Sequence, residues 1–476
     1  MASWFSGIPR PGYASLASAA FGCAGIGVLA GIDPAYGLAA AIGIAFTAVV
    51  IGDASIGTIL FTILSFLDIV NSGGPEASFM KVAGLLLFAS YLASAATRNR
   101  QPMMTLMKAS PTLVIASVVL VSWSAISVVW AGSSGLALTD TYRYLLNVLL
   151  IPIVFGTILR KDHLLWLAGA FIVGAVISTI YGFIDPGTLN QPGQLTGTIG
   201  DANEQAAVLV GAIALSFGLM GVFRRQPWLR LLGGVAILIS IAGVVNTLSR
   251  SGLIALAAML IAGVIYGGRW RRWATLLLIV GVVGGVIDYV AFAPSTTKSR
   301  ITSSDTSGRS TIWAVAWRMV EAHPLIGVGS GNFSADSVNY VQDAGPLTRA
   351  DLIVDDPKVA HNIYLEVLAD MGIVGLLAFL GIVGGAVAAA ARAAQAFRLS
   401  GEQDLELMSR CVIFAIVGFM VSDFFLSGEF SKQLWLVLAL GPTLLALSRR
   451  TAEDDVVETS PGAVPRSRRA LAAARP

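Results

Sequence analysis

Charge is scarce in this 476-residue chain: Lys, Arg, Asp and Glu together make up 12% of it, against about 25% in an ordinary soluble domain. With 55% hydrophobic residues and a mean hydropathy of +0.77, that scarcity excludes a water-soluble globular protein. Cysteine is limited to Cys23 and Cys411. With no CxxC pair and no histidine nearby in sequence, this excludes a disulfide framework or a thiolate metal site, and both residues read as small apolar packing groups. Only three histidines occur, His163, His323 and His361. Neither H-E-x-x-H nor a D-x-D metal–nucleotide motif is present, so neither a metal nor a cofactor is expected. A basic n-region followed by a cleavage site is also missing, and the first apolar run reads as an uncleaved membrane helix. A net charge of +3 carries no implication of nucleic acid.

What the chain has instead is apolar runs, each about as long as a bilayer-crossing helix needs. They are continuous Ala/Gly/Val/Leu/Ile stretches rather than alternating ones, so the backbone satisfies itself as helices, not as a barrel. The runs fall near 14–32, 35–52, 55–70, 79–97, 111–131, 141–160, 164–184, 202–223, 230–248, 251–268, 273–293, 361–391, 410–427 and 431–448. The expected fold is therefore all-α: a polytopic protein in contact with membrane lipids. It would have about 14 transmembrane helices, or 12 or 13 if the two short segments in 35–70 do not both cross. The chain divides into N-terminal helices (1–293), one large hydrophilic loop (294–360), C-terminal helices (361–450) and a tail (451–476) that reads as disordered, acidic first and then basic.

Positive charge alternates between loops, which sets orientation. Arg98, Arg100 and Lys108, then Arg160 and Lys161, then Arg224, Arg225 and Arg230, then Arg269, Arg271 and Arg272, then Arg392, Arg398 and Arg410 mark one face. That face and the C-terminus are expected to be cytoplasmic; the 294–360 loop is expected outside.

The chemistry collects on the outer face. In the large loop, "GRSTIWAVAWRMVEA" reads as a helix with Ile312, Val315, Ala316 and Met319 on one side, as if lying on the membrane surface. Arg309 in its first turn is mildly unfavourable to the helix dipole, so it serves either a bound anion or only solvent. Arg250, in "TLSRSG", sits between two apolar segments, where an arginine costs about 2.5–3.5 kcal/mol at membrane depth. It either snorkels or has a partner. His361 opens an apolar helix, where a cation is disfavoured; a neutral imidazole there suits a general base or an interfacial cap. The glycines of "HPLIGVGSGNF" form no phosphate loop and suggest a tight turn packed on the membrane domain. His323 reads as a helix-end cap and His163 as a headgroup-level residue.

Taken together, "TLSRSG" (247–252), "SGRSTIW" with "HPLIGVGSGNF" (307–333) and "HNIYLEVLADMGIVGLLAFL" (361–380) resemble the O-antigen ligase/O-antigen polymerase superfamily of bacterial membrane glycosyltransferases. "GTIGDANEQAA" (197–207) is a looser match, with Asp201-Ala202-Asn203-Glu204 in place of the commoner Pro-Asn pairing. The resemblance implies a GT-C-like fold with a periplasmic loop over the active site, and metal-independent, inverting transfer. It also implies a polyprenyl-diphosphate-linked glycan donor and a glycan or lipid-core acceptor, with the active site outside the cytoplasmic membrane. It maps catalytic roles onto His361, Arg250 and Arg309, with further substrate contacts at Asn362 and Asn203. Arg300, Arg349, Lys298 and the outer-edge Arg143 are additional candidates. Ligase and polymerase are not separated by these motifs. A transporter or flippase for an anionic solute is the competing class; it would need charges deep in several helices, and Asp68, Asp288 and Asp423 are the few available.

Overall fold

A computed structural model describes residues 13–32, 34–66, 79–97, 102–185, 193–287, 308–341, 351–355 and 358–459. Sixteen helices carry the fold: α1 (Tyr13–Ile32), α2 (Pro34–Gly52), α3 (Ala54–Leu64), α4 (Phe79–Thr97), α5 (Pro102–Ala109), α6 (Pro111–Ser127), α7 (Ser134–Thr157), α8 (Lys161–Ile184), α9 (Ala202–Val222), α10 (Pro227–Asn246), α11 (Arg250–Tyr266), α12 (Arg271–Ile287), α13 (Arg309–Ala322), α14 (Ile363–Leu399), α15 (Gln403–Ser422) and α16 (Lys432–Thr459). Strands are absent among the described residues. The described part of each expected apolar run falls mainly in a helix, residues 67–70 and 288–293 lying outside the described residues, and the protein is an all-α polytopic membrane protein. By length and composition α7, α8, α9, α10, α14 and α15 each suffice to cross among the described residues, and the total there reaches eight if two sharply bent pairs, α5–α6 and α11–α12, count as broken spans. α3 is short: its 11 residues reach about 16 Å, half of a bilayer core.

Helix ends follow local chemistry. Asp53, Ser133, Asp201, Ser249 and Asn362 each accept backbone N–H bonds as N-caps, and Pro111 and Pro227 start α6 and α10, where no N–H is needed. α9, α14, α15 and α16 form the centre of the apolar core, with Phe379, Phe397, Phe419 and Trp435 fully enclosed. α16 continues through Thr459, into the acidic start of the tail expected to be disordered. Extending an existing helix costs far less than nucleating one. Residues 460–476 lie outside the described residues.

The bundle has a basic end. Lys161–Glu402 (3.6 Å), Arg224–Asp404 (3.6 Å), Arg269–Glu406 (2.7 Å) and Arg410–Glu406 (2.9 Å) gather the cationic loops around the start of α15. The N-termini of α9, α11, α13 and α14 lie at the other end.

Two features shape that other end. α14 is broken at Gly372, which has φ +64° and ψ −167°. The glycine-rich segment threads into the break: Val328 N–H donates to Ala369 C=O (3.0 Å), Gly329 N–H to Asp370 C=O (2.8 Å), and Ile373 N–H to Pro324 C=O (3.0 Å). The Asp370 carboxylate accepts Gly331 N–H (2.8 Å) and Phe333 N–H (2.7 Å). The expected tight turn packed on the membrane domain is thus a strap docked into an opened helix. The second feature corrects an expectation. Ile312, Val315, Ala316 and Met319 of α13 are buried among Val328, Phe333, Ile353, Ala360 and Ala369. Protein, not lipid headgroups, covers that stripe, because the strap and α14 supply enough apolar surface to enclose it.

Candidate active site

Four helix N-termini meet at the end opposite the basic loops, and each presents a partial positive charge. Asp201 caps α9 through its Oδ1, which accepts Asn203 N–H (2.8 Å) and Glu204 N–H (2.9 Å). Asn203 Oδ1 accepts Ser249 Oγ–H (2.7 Å) and Ser251 Oγ–H (3.3 Å), so the start of α9 braces the turn that carries Arg250. Arg250, the first residue of α11, is exposed between those two buried serines. Arg309 is the first residue of α13. Its helix has Gly308, at φ +76°, as N-cap, and so no capping side chain at that position.

Arg309 and His361 are partly buried. Burial holds the Arg309 guanidinium below its ordinary range; Asp201 opposes that shift and the Arg250 charge adds to it. The His361 imidazole is likewise pushed below an ordinary histidine, by burial first and then by the Arg309 cation and Lys358, with Asp201 in opposition. Arg309 therefore lies within electrostatic reach of Arg250, His361 and Asp201, and His361 within reach of Asp201. The first three were expected from sequence to share a site. Asp201 was not; an aspartate ahead of an apolar run reads as a cap, which it also is.

Backbone strain marks the same place. Leu248 (φ +50°) and His361 (φ +49°) are the non-glycine residues at positive φ among the described residues. Each sits immediately before an N-cap, Ser249 or Asn362. Such conformations cost about 1–3 kcal/mol and persist only where surroundings over-determine them.

The other candidates are placed differently. Asn362 is buried, and its Oδ1 caps α14 by accepting Tyr364 N–H (3.0 Å) and Leu365 N–H (3.1 Å). Arg143 on α7 pairs with Asp140 (3.1 Å) and lies over the Phe430 ring, 3.8 Å from its centroid. Its partners lie on α7 and before α16, not among the four N-termini. Lys298, Arg300 and Arg349, with Asp68 and Asp288, lie outside the described residues. His323 ends α13 and accepts Gly327 N–H through its carbonyl. His163 lines a cavity of about 600 Å³ with Asp53, Tyr91, Arg160 and Arg450. That cavity is at the basic end, away from Arg250 and His361. Trp313 and Glu366, like Asp201, escaped the sequence reading; Trp313 meets Ala360 47 residues away, and Glu366 meets Ser427 61 residues away.

A small anionic group held by two arginines near helix N-termini, beside a neutral imidazole, is what this arrangement can accommodate chemically. Comparison with known proteins points the same way. Residues 235–380 match the family model described as O-antigen ligase. An O-antigen ligase of Pseudomonas aeruginosa is 26% identical over 286 residues, covering 59% of this chain and 66% of that protein. The chain therefore aligns with somewhat less than two thirds of that relative's length.

Proposed function

From the match of residues 235–380 to the O-antigen ligase family model and the similarity to an O-antigen ligase, we propose that the chain belongs to the O-antigen ligase/polymerase superfamily and transfers a glycan from a polyprenyl-diphosphate carrier to a sugar hydroxyl, at the outer face of the cytoplasmic membrane. The convergence of Arg250, Arg309 and a neutral His361 carries this reading. Outside the cytoplasm no nucleotide is at hand, so the sugar must arrive already activated, and a lipid diphosphate activates it. The acceptor oxygen attacks the anomeric carbon as the bond from that carbon to the phosphate oxygen breaks, and the diphosphate departs with the bonding electrons. An imidazole nitrogen of His361 takes the hydroxyl proton, a contribution of about 10²–10⁴ in rate. Arg250 and Arg309 hold the developing charge by paired N–H bonds. A single displacement of this kind inverts the anomeric centre, and no metal is needed where two guanidiniums neutralise the leaving group.

Charge asymmetry supports this orientation: under the positive-inside rule the basic end, with Arg160, Arg224, Arg269 and Arg410, is the side that would face the cytoplasm, and the site the side that would face out. Labelling a Tyr340→Cys variant from outside intact cells tests this; labelling only from the cytoplasm would reverse the topology. The activity is tested by reconstituting the protein with a lipid-diphosphate-linked oligosaccharide and either a glycolipid acceptor or further donor. Single-block transfer identifies a ligase and lengthening identifies a polymerase. Passage of the lipid-linked glycan across the bilayer with no new glycosidic bond would refute the transferase reading in favour of a flippase.

A further inference from the structure

Both backbone polar groups of Ala360, the fully buried residue immediately before His361, are bonded to side chains from two different elements. Its C=O accepts the Trp313 indole N–H at 2.9 Å. Its N–H donates to Glu366 Oε2 at 3.3 Å. We propose that Trp313 and Glu366 are positioning residues that lock the strained backbone of His361 and so fix where its imidazole points; this rests on the reading of His361 as the base.

The geometry gives the reason. Trp313 fixes the peptide plane between residues 360 and 361. On the other side, the Asn362 side chain caps α14, and its carbonyl accepts Glu366 N–H at 2.9 Å. His361 and Asn362 are the two residues between the anchored planes 360–361 and 362–363, which limits how far His361 can relax from φ +49°. That is the over-determination a strained residue requires.

The anchors are themselves supported. The Trp313 ring meets Phe424 edge-on, with centroids 5.6 Å apart, and Phe425 at 6.3 Å. Glu366 Oε2 also accepts the Ser427 hydroxyl. The segment 423–427 thus backs both anchors. Trp313 also lies one turn after Arg309 on the same helix, and residues four apart share a helix face. α13 therefore sets the arginine and the imidazole together, so the groups assigned to the leaving diphosphate and the incoming hydroxyl keep one spacing.

The test uses full-length protein in nanodiscs. With three histidines in the chain, ¹⁵N-histidine NMR resolves His361, assigned through a His361→Gln variant. Trp313→Phe removes the N–H but keeps a ring against Phe424. Glu366→Leu removes the acceptor, and Glu366→Gln retains one. In Trp313→Phe and Glu366→Leu, His361 is expected to titrate nearer an ordinary histidine than in the wild type. In both, kcat is expected to fall about tenfold or more with donor KM unchanged, since a displacement near 1 Å can cost about 10²-fold. Glu366→Gln should restore both readouts to near the wild-type values. If Glu366→Leu fails to fold, Trp313→Phe and Glu366→Gln still decide. Wild-type titration in folded Trp313→Phe overturns the proposal, and so does a loss of kcat with the titration unmoved. If the wild type transfers no glycan, the transferase reading fails, and the titration still decides the clamp.

Discussion

Replacing Gly372 by alanine is expected to undo the docking of the strap on α14. Gly372 occupies φ +64°, ψ −167°, a region essentially closed to other residues, at a cost of about 1–3 kcal/mol. An added Cβ would also stand 2.3 Å from the carbonyl carbon and oxygen of Leu325 and 2.6 Å from Ile326 N. These are backbone atoms inside the strap and have no flexible end to move aside. Relief requires the strap to lift, which sacrifices the bonds from Val328, Gly329 and Ile373, each worth about 0.5–1.5 kcal/mol net. The sum is about 3–7 kcal/mol, a large part of the 5–15 kcal/mol by which domains are commonly stable, roughly. Gly384, also in α14, is the control: nothing lies within 4 Å of its would-be Cβ, and Gly384→Ala should leave stability unchanged or raise it by up to about 1 kcal/mol. Unfolding midpoints of the two variants in detergent micelles test this. If Gly372→Ala matched the wild type and Gly384→Ala, the strap would not be seated in the break as described.

Three further outcomes follow from the site. Arg250→Ala should lower kcat with a lipid-diphosphate donor by about 10²–10³-fold, and Arg250→Lys should recover only part, since a lysine is a point charge without the guanidinium fork; wild-type turnover in Arg250→Ala refutes the role. His361 is depressed below its ordinary value and acts as base when neutral. Activity should therefore persist as pH falls through about 6.5 and be lost only below the depressed pKa. In Arg309→Gln, where one repulsive cation is gone, the acid limb of residual kcat/KM should move upward; an unmoved or lowered limb contradicts the assignment. Asn203→Ala strips the acceptor from the buried Ser249 and Ser251 hydroxyls and should destabilise the protein by about 1–3 kcal/mol, measured by chemical unfolding; an unchanged midpoint would show that the brace is dispensable.

Much was legible along the chain. Continuous apolar runs dictate helices in lipid because no water is present to satisfy the backbone, and the described part of each expected run falls mainly in one. The candidate residues Arg250, Arg309 and His361 stood out because a charge at the edge of an apolar segment is costly and conspicuous. Where a helix bends was less legible, since hydropathy reports what a segment is made of, not whether it is straight. The 119° bend between α11 and α12 leaves no trace in a hydropathy profile.

The sequence by itself determined the all-α membrane class, most helix limits and the three residues on which the chemistry is proposed to turn, because these depend on neighbours within a turn or two. Only the tertiary structure decided that α13 hides its apolar stripe against α14, that Gly372 opens a helix to admit the strap, and that Asp201 joins the arginines. It alone brought Trp313 and Glu366 to Ala360, 47 and 6 residues away. Such contacts depend on which surfaces are left to be buried once the helices have assembled, and no local pattern records that.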